Sequence, residues 1–292
     1  MRRTGLSSRS YLALHDHFVA IIRESNRQGM HGWIRSAGHR DRVTRILTAS
    51  AGTRSSLCVL GAGNLNDLDL GWLLQLYHEV HLVDLDVDAV HAGLARQGCS
   101  GSGVQVHGPI DLSGILARLP TGHPPGERAE ALRELLTHHR CVVPAAPFDV
   151  TVSAGLLTQL LQSVVDSSLA PDAVVPVSLA LRDKHLADLV HCTRPGGTLV
   201  LITDVVATTT APQLLAAAPA DLEERMAELV ASRNFFTGTN PYRIVALLEE
   251  DDRFRHTATA VRLLQPWLWR VTADRQHLTC AILARRAAVP TR

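Results

Sequence analysis

Short apolar runs and helix-period stretches alternate along the middle of the chain. Leu57-Cys58-Val59-Leu60, Val80-His81-Leu82-Val83, Val104-Gln105-Val106, Phe148–Val152 and Gly197–Ile202 have the length and composition of buried strands. Between them, Leu68–Tyr77, Asp88–Arg96, Leu156–Ser167 and Leu179–Cys192 are long enough for helices. Such alternation predicts a mostly parallel sheet covered by helices on both faces. Ahead of it, Leu14, Phe18, Ile21 and Ile22 recur at helical spacing between Tyr11 and Gln28, with Gly29 as a stop. Val43, Ile46 and Leu47 mark a second helix ending near Ala51-Gly52. The chain closes on two apolar runs, Trp267–Val271 and Leu278–Leu283, joined by the polar residues 272–276. That spacing predicts an antiparallel hairpin.

Two stretches break the alternation. Residues 112–147 carry Pro120, Gly122, Pro124, Pro125 and Gly126 and then a polar helix around Glu127–His139. Residues 205–256 are mostly helical, with a turn at Gly238-Thr239-Asn240-Pro241. Both exceed ordinary α/β loops and mark insertions. The organisation predicted is a helical extension over 1–54, placed as a lid, and one α/β domain over 55–292.

The chain has 292 residues, 46% of them hydrophobic, and can bury a core without covalent staples. Cys58, Cys99, Cys141, Cys192 and Cys280 are odd in number, scattered and without a CxxC pair, which argues against a disulfide framework or a cysteine zinc site. No uncharged apolar run reaches membrane-span length, so a soluble cytoplasmic protein without a membrane partner is expected. Net charge is +1, which does not advertise nucleic acid. Yet residues 1–54 hold ten arginines against three acids, a balance of +7, and residues 55–95 hold six acids and no Lys or Arg. The two segments either pack together or the first meets an anionic partner, so RNA stays an alternative.

Ligands of open α/β sheets bind beyond the carboxyl ends of the strands. The first run ends in Gly61-Ala62-Gly63-Asn64, where missing β-carbons let a ligand approach the backbone. Asp84 ends the second run, 23 positions after Gly61, where a carboxylate can accept hydrogen bonds from ribose hydroxyls. Together they indicate an adenosine-containing cofactor. A dinucleotide pattern would place its third glycine at position 66, which is Asn66.

From Ser56 to Arg286 the chain resembles the class I S-adenosylmethionine (SAM) dependent methyltransferases. Cys58–Asp67 resembles their glycine motif, His81–Asp86 their ribose-binding strand end, Phe148–Ser153 their fourth-strand motif, and Thr193–Val200, with Pro195-Gly196-Gly197, their fifth. The resemblance implies a seven-stranded Rossmann-like methyltransferase sheet, mostly parallel, with a C-terminal antiparallel hairpin and an N-terminal helical extension. It implies SAM as cofactor, with Gly61, Ala62, Gly63 and Asn64 under its methionine part and Asp84 and Leu85 at the ribose. Asp111 would meet the adenine amino group, and Ser153, Ala154 and Gly155 would line the cofactor after the fourth strand. Val59 and Leu65 depart from the family's acid and third glycine; Asp67 or Asp69 would supply the missing carboxylate to the methionine ammonium.

The expected reaction is in-line methyl transfer to a small-molecule acceptor. Alternatives are a non-catalytic SAM-binding module, an RNA methyltransferase and an NAD(P)-dependent oxidoreductase. His15, His17, His31 and Tyr242 are candidate bases, none singled out by spacing. Asn240-Pro241-Tyr242 resembles the N-P-P-Y signature of nitrogen methyltransferases, but it follows the fifth strand rather than the fourth and reads first as a helix-starting turn. His15-Asp16-His17 and His138-His139 sit at spacings that do not face one way on a helix, and no metal is expected. Trp267 and Trp269 share a strand face and read as core or interface rather than as a stacking platform.

Overall fold

The computed structural model describes residues 19–20, 22–99, 101, 103–115, 125–165 and 169–288. Of the first predicted helix, residues 22–29 are helical and are labelled α1. Leu14, Phe18 and Ile21, with His15, Asp16 and His17, lie outside the described residues. Helix α2 spans Ala37–Ser50 and carries the predicted Val43, Ile46 and Leu47, all buried.

The alternating part runs β1 (Ser56–Leu60), α3 (Leu70–Leu76), β2 (Glu79–Val83), α4 (Val87–Gln97), β3 (Val104–His107), α5 (Pro125–His138), β4 (Phe148–Ala154), α6 (Leu156–Val165), α7 (Pro171–Cys192) and β5 (Thr193–Ala207). Then follow α8 (Leu222–Ala231), α9 (Pro241–Glu250), β6 (Ala258–Leu263), β7 (Trp267–Arg270) and β8 (Gln276–Arg286). The sheet order is β3-β2-β1-β4-β5-β8-β6, with β7 also on β8. Strands β1 to β5 pair in parallel, and β8 runs antiparallel to β5, β6 and β7.

The seven-stranded expectation needs one correction. Strands β6 and β7 share one edge of β8, the first from Ala258 opposite Arg286 to Leu263 opposite Ile282, the second from Trp267 opposite Thr279 to Arg270 opposite Gln276. Eight strands thus occupy seven positions. A second difference concerns Pro195-Gly196-Gly197. Thr193 already pairs with Phe148 and Thr198 with Val150, so the four residues between them bulge out of β5 rather than precede it. Helix α7 also begins before the predicted Leu179, with Pro176 inside it. Asn240, by contrast, caps α9 as the turn reading expected, accepting a bond from the Arg243 N–H at 3.1 Å.

Strand alternation sends successive side chains to opposite faces. Leu57, Val59, Leu82, Val150 and Val152 join α2, α3 and α4 in one core. Cys58, Leu60, Val83 and Phe148 join α5, α6, α7 and α9 in the other. Each fully buried Leu or Val here contributes about 1.5–3 kcal/mol. A smaller third core packs α8 against the outer part of β5 through Val205, Val206, Leu222, Met226 and Leu229. The sheet order reverses between β1 and β4, so the crevice at their carboxyl ends is the position a ligand would take.

Candidate functional site

The glycine loop leaves β1 with Gly61 at φ +79° and Gly63 at φ +47°, both in the left-handed region. A Cβ at Gly61 would come within 2.8 Å of Leu156 Cβ, so only glycine keeps this path open. Leu65, where the family commonly has glycine, retains the glycine-like backbone at φ +55° while burying its side chain in the core. That conformation costs a non-glycine residue about 1–2 kcal/mol.

Asp84 clamps the loop. Its Oδ2 accepts the Gly63 N–H at 2.7 Å and its Oδ1 the Asp86 N–H at 2.7 Å. Burial pushes the carboxyl up from its ordinary range, opposed by the hydrogen bonds from the Asp86, Gly63 and Leu85 N–H groups. Gly61, Gly63, Asp84, Leu85 and Asp111 line one cavity together with Ile110, Leu112, Leu156 and Leu160. Asp111 Oδ1 accepts from Ser113 N at 2.9 Å, which shapes the loop after β3. The remaining candidate residues sit elsewhere. Ala62 and Ala154 are buried in the sheet core, and the Ser153 hydroxyl is turned to His185 Nε2 of α7 at 2.8 Å. The Asn64 amide donates to Asn26 O at 2.6 Å.

Helix α1 borders this cavity. Ile22 and Asn26 line it, and Asn26 Nδ2 donates to Asp86 Oδ2 at 3.0 Å. The space within is about 60 Å³, roughly two waters' share of liquid volume. Arg40 and Arg96 dock through carbonyls rather than acids. Arg40 donates to Trp33 O at 2.8 Å and Asn66 O at 3.1 Å, and its guanidinium lies 3.5 Å from the Trp33 ring centre. Arg96 stacks on the same ring and donates to Asn64 O.

A second cavity, of about 690 Å³, adjoins the first; Ile22, Gln159 and Ser163 line both. Phe235, Phe236 and Trp269 supply aromatic walls, and Gly155, Asp204 and His277 lie at its sheet end. His277 Nδ1 stands 2.9 Å from Asp204 Oδ2, while Thr279 Oγ1 donates to Asp204 Oδ1 at 2.8 Å. Strand β8 places this pair because its first residues lie opposite the end of β5, with His277 opposite Ala207 and Thr279 opposite Asp204. Trp269 is thus a wall of the cavity, not solely core. Its ring stacks on His39 at 4.3 Å, and its Nε1 donates to Ser36 Oγ at 3.3 Å, so α2 fixes its orientation.

Behind Trp269 lies a buried polar pair. His39 Nδ1 accepts from Trp267 Nε1 at 3.0 Å, and His39 Nε2 is 3.7 Å from Asp67 Oδ1. Burial pulls His39 down to about 4, although the Asp204 charge acts the other way. Burial, and secondarily Asp204, push Asp67 up to about 7, with Arg40 opposing. Asp69 caps α3 through the Trp72 N–H at 3.1 Å and is exposed, which removes it as a partner for a buried ammonium.

Of the candidate bases, His31 and Tyr242 are exposed and line neither cavity. His277 was not read from the sequence. Its signal was a His near the start of a strand whose antiparallel partner carries Asp204 near its end, visible only once the two strands are paired. Among the described residues no group of three or more His, Cys, Asp or Glu is placed to hold a metal ion, and no helix is long and apolar enough to cross a membrane.

No protein-family model and no curated protein matches the chain. Several solved structures are distantly similar to it. A possible exported protein from Bordetella parapertussis is 17% identical over 87% of this chain and 69% of that one, with a TM-score of 0.46. A SAM-dependent methyltransferase from Methanosarcina mazei is 12% identical over 84% and 98%, TM-score 0.45. The N-methyltransferase NodS from Bradyrhizobium japonicum is 12% identical over 86% and 95%, TM-score 0.43. Likenesses of this order carry no argument about activity. The strand order and the single reversed strand β8, read on their own, give the chain the Rossmann-like class I methyltransferase fold.

Proposed function

We propose that the protein is a SAM-dependent methyltransferase acting on a small molecule. The observation that carries this reading is the junction of two unlike cavities at the carboxyl ends of the central strands, with Ile22, Gln159 and Ser163 common to both. The first has the donor set of an adenosine site: a backbone bare of β-carbons at Gly61 and Gly63, a carboxylate at Asp84, and an apolar slot between Leu85, Ile110 and Leu160. SAM would supply a methyl group already activated on a sulfonium. What remains for the protein is alignment and exclusion of water, which α1 serves as a lid.

The second cavity lies within the range of small-ligand sites. Arg40 and Arg96 near the cleft are spent on backbone carbonyls and Trp33, which favours a small molecule over a nucleic acid. Calorimetric titration with SAM and S-adenosylhomocysteine, with NADH and NADPH as controls, tests the reading. Micromolar binding of both adenosyl compounds alone is expected; binding of neither would turn the protein into a module of the same fold without turnover.

A further inference from the structure

The floor of the second cavity has no role in the reading above beyond shape, yet its chemistry is specific. Against a carboxylate oxygen, His277 Nδ1 is the hydrogen-bond donor, which makes Nε2 the acceptor. No hydrogen bond engages Nε2 among the described residues, and the imidazole lines the cavity. Asp204 is buried and held by two partners, His277 at Oδ2 and Thr279 at Oδ1, so the imidazole cannot swing away without leaving Oδ2 of a buried carboxylate without its hydrogen bond. Phe236 and Trp269 both meet the imidazole edge to face, at 5.6 Å and 67° and at 6.2 Å and 83°. Together with Phe235 they frame a slot suited to a flat ring.

A neutral amine attacks through its own lone pair and needs no base beforehand, whereas a weakly acidic O–H must lose its proton as it attacks. Resting on the methyltransferase reading, we propose that His277 is the catalytic general base, that Asp204 is its positioning residue, and that the acceptor is a phenol-type hydroxyl on a planar aromatic ring. In the step, the hydroxyl proton passes to His277 Nε2 and the oxygen pair forms the O–CH3 bond. The S–C bond breaks with its electron pair remaining on sulfur. The products are the aryl methyl ether, S-adenosylhomocysteine and an imidazolium that returns its proton to water.

The test uses the full chain, phenol and 4-nitrophenol as acceptors, and the variants His277→Gln and Asp204→Asn. On phenol, His277→Gln should lower kcat about 100-fold or more with KM little changed. On 4-nitrophenol at alkaline pH, where the acceptor is already ionised, that loss should largely disappear. A merely structural histidine would lower both alike, and that result would overturn the assignment. Asp204→Asn should lower kcat on phenol by at least about tenfold while S-adenosylhomocysteine affinity holds, because the amide no longer dictates the tautomer. A second reading needs no variant: at a pH about one unit below the pKa of free 4-nitrophenol, wild type saturated with S-adenosylhomocysteine should bind it with more of the yellow phenolate absorption than the same ligand shows free in solution, and no excess over free ligand would contradict proton transfer to His277. If S-adenosylhomocysteine binds and neither phenol is methylated, the acceptor class is wrong and the cofactor reading stands. If S-adenosylhomocysteine does not bind, both fall.

Discussion

Removing the Asp84 carboxylate tests whether one side chain both holds the glycine loop and receives the cofactor. In Asp84→Ala two backbone N–H groups, of Gly63 and Asp86, lose acceptors that stand at 2.7 Å. Each orphaned donor costs about 1–3 kcal/mol, so the pair sets a ceiling of about 6 kcal/mol. The burial that raises the carboxyl is relieved at the same time, which draws the expected loss toward about 2–3 kcal/mol. Asp84→Asn keeps one acceptor and should lose about half as much. Urea unfolding at neutral pH, with an unchanged dependence on denaturant, measures both. Titration with S-adenosylhomocysteine, at a temperature where the variant is folded, reads the second role; a further loss of about 1–3 kcal/mol in affinity is expected. A stability change below about 0.5 kcal/mol would refute the clamp, since that is the range of ordinary surface substitutions. Lost stability with unaltered affinity would refute the ribose contact.

Other substitutions probe the same architecture. Gly61→Ala should cost at least about 1–2 kcal/mol from its left-handed backbone, before the contact with Leu156, and should abolish nucleoside binding by calorimetry. Asp67 has a folded-state pKa raised to about 7, so the protein loses stability as pH rises through that value. Asp67→Asn should therefore exceed the parent in urea midpoint at pH 8 and match it near pH 4, where both side chains are neutral. Lys184→Met breaks a buried pair whose Nζ is 2.6 Å from Asp188 Oδ2 and 2.9 Å from Leu112 O; a loss of about 3–5 kcal/mol is expected in the same assay. Asn26→Ala removes the bond from α1 to Asp86, worth about 1 kcal/mol, and should speed S-adenosylhomocysteine association about fivefold in stopped flow.

The parallel strands other than the edge strand β3 were legible because each is largely an apolar run buried on both faces and ended by glycine or a small polar residue. Strand β6 was not: Thr259, Ala260 and Arg262 are exposed, and an edge strand with one wet face leaves little apolar signal. The start of α7 was hidden by Pro176, which ordinarily marks a boundary but here sits inside the helix. At the site, Gly61, Gly63 and Asp84 followed from local order, glycine before acid at successive strand ends, and Asp111 from the family resemblance. His277 and Asp204 are 73 positions apart and meet through an antiparallel register that no local pattern encodes. The backbone of Leu65 shows the converse: a conformation typical of glycine persists where the residue has changed, paid for by core burial of the side chain.

Lys184 is the only lysine in the chain, and its amine is buried between Asp188 and the Leu112 carbonyl at the edge of the first cavity. An amine-directed label added to the folded protein would reach that side chain only when the packing of α7 against the loop after β3 opens. The rate of modification at this one position, followed by peptide mass, is thus a clock for that opening. Ligand in the neighbouring slot should slow it, whatever the acceptor proves to be.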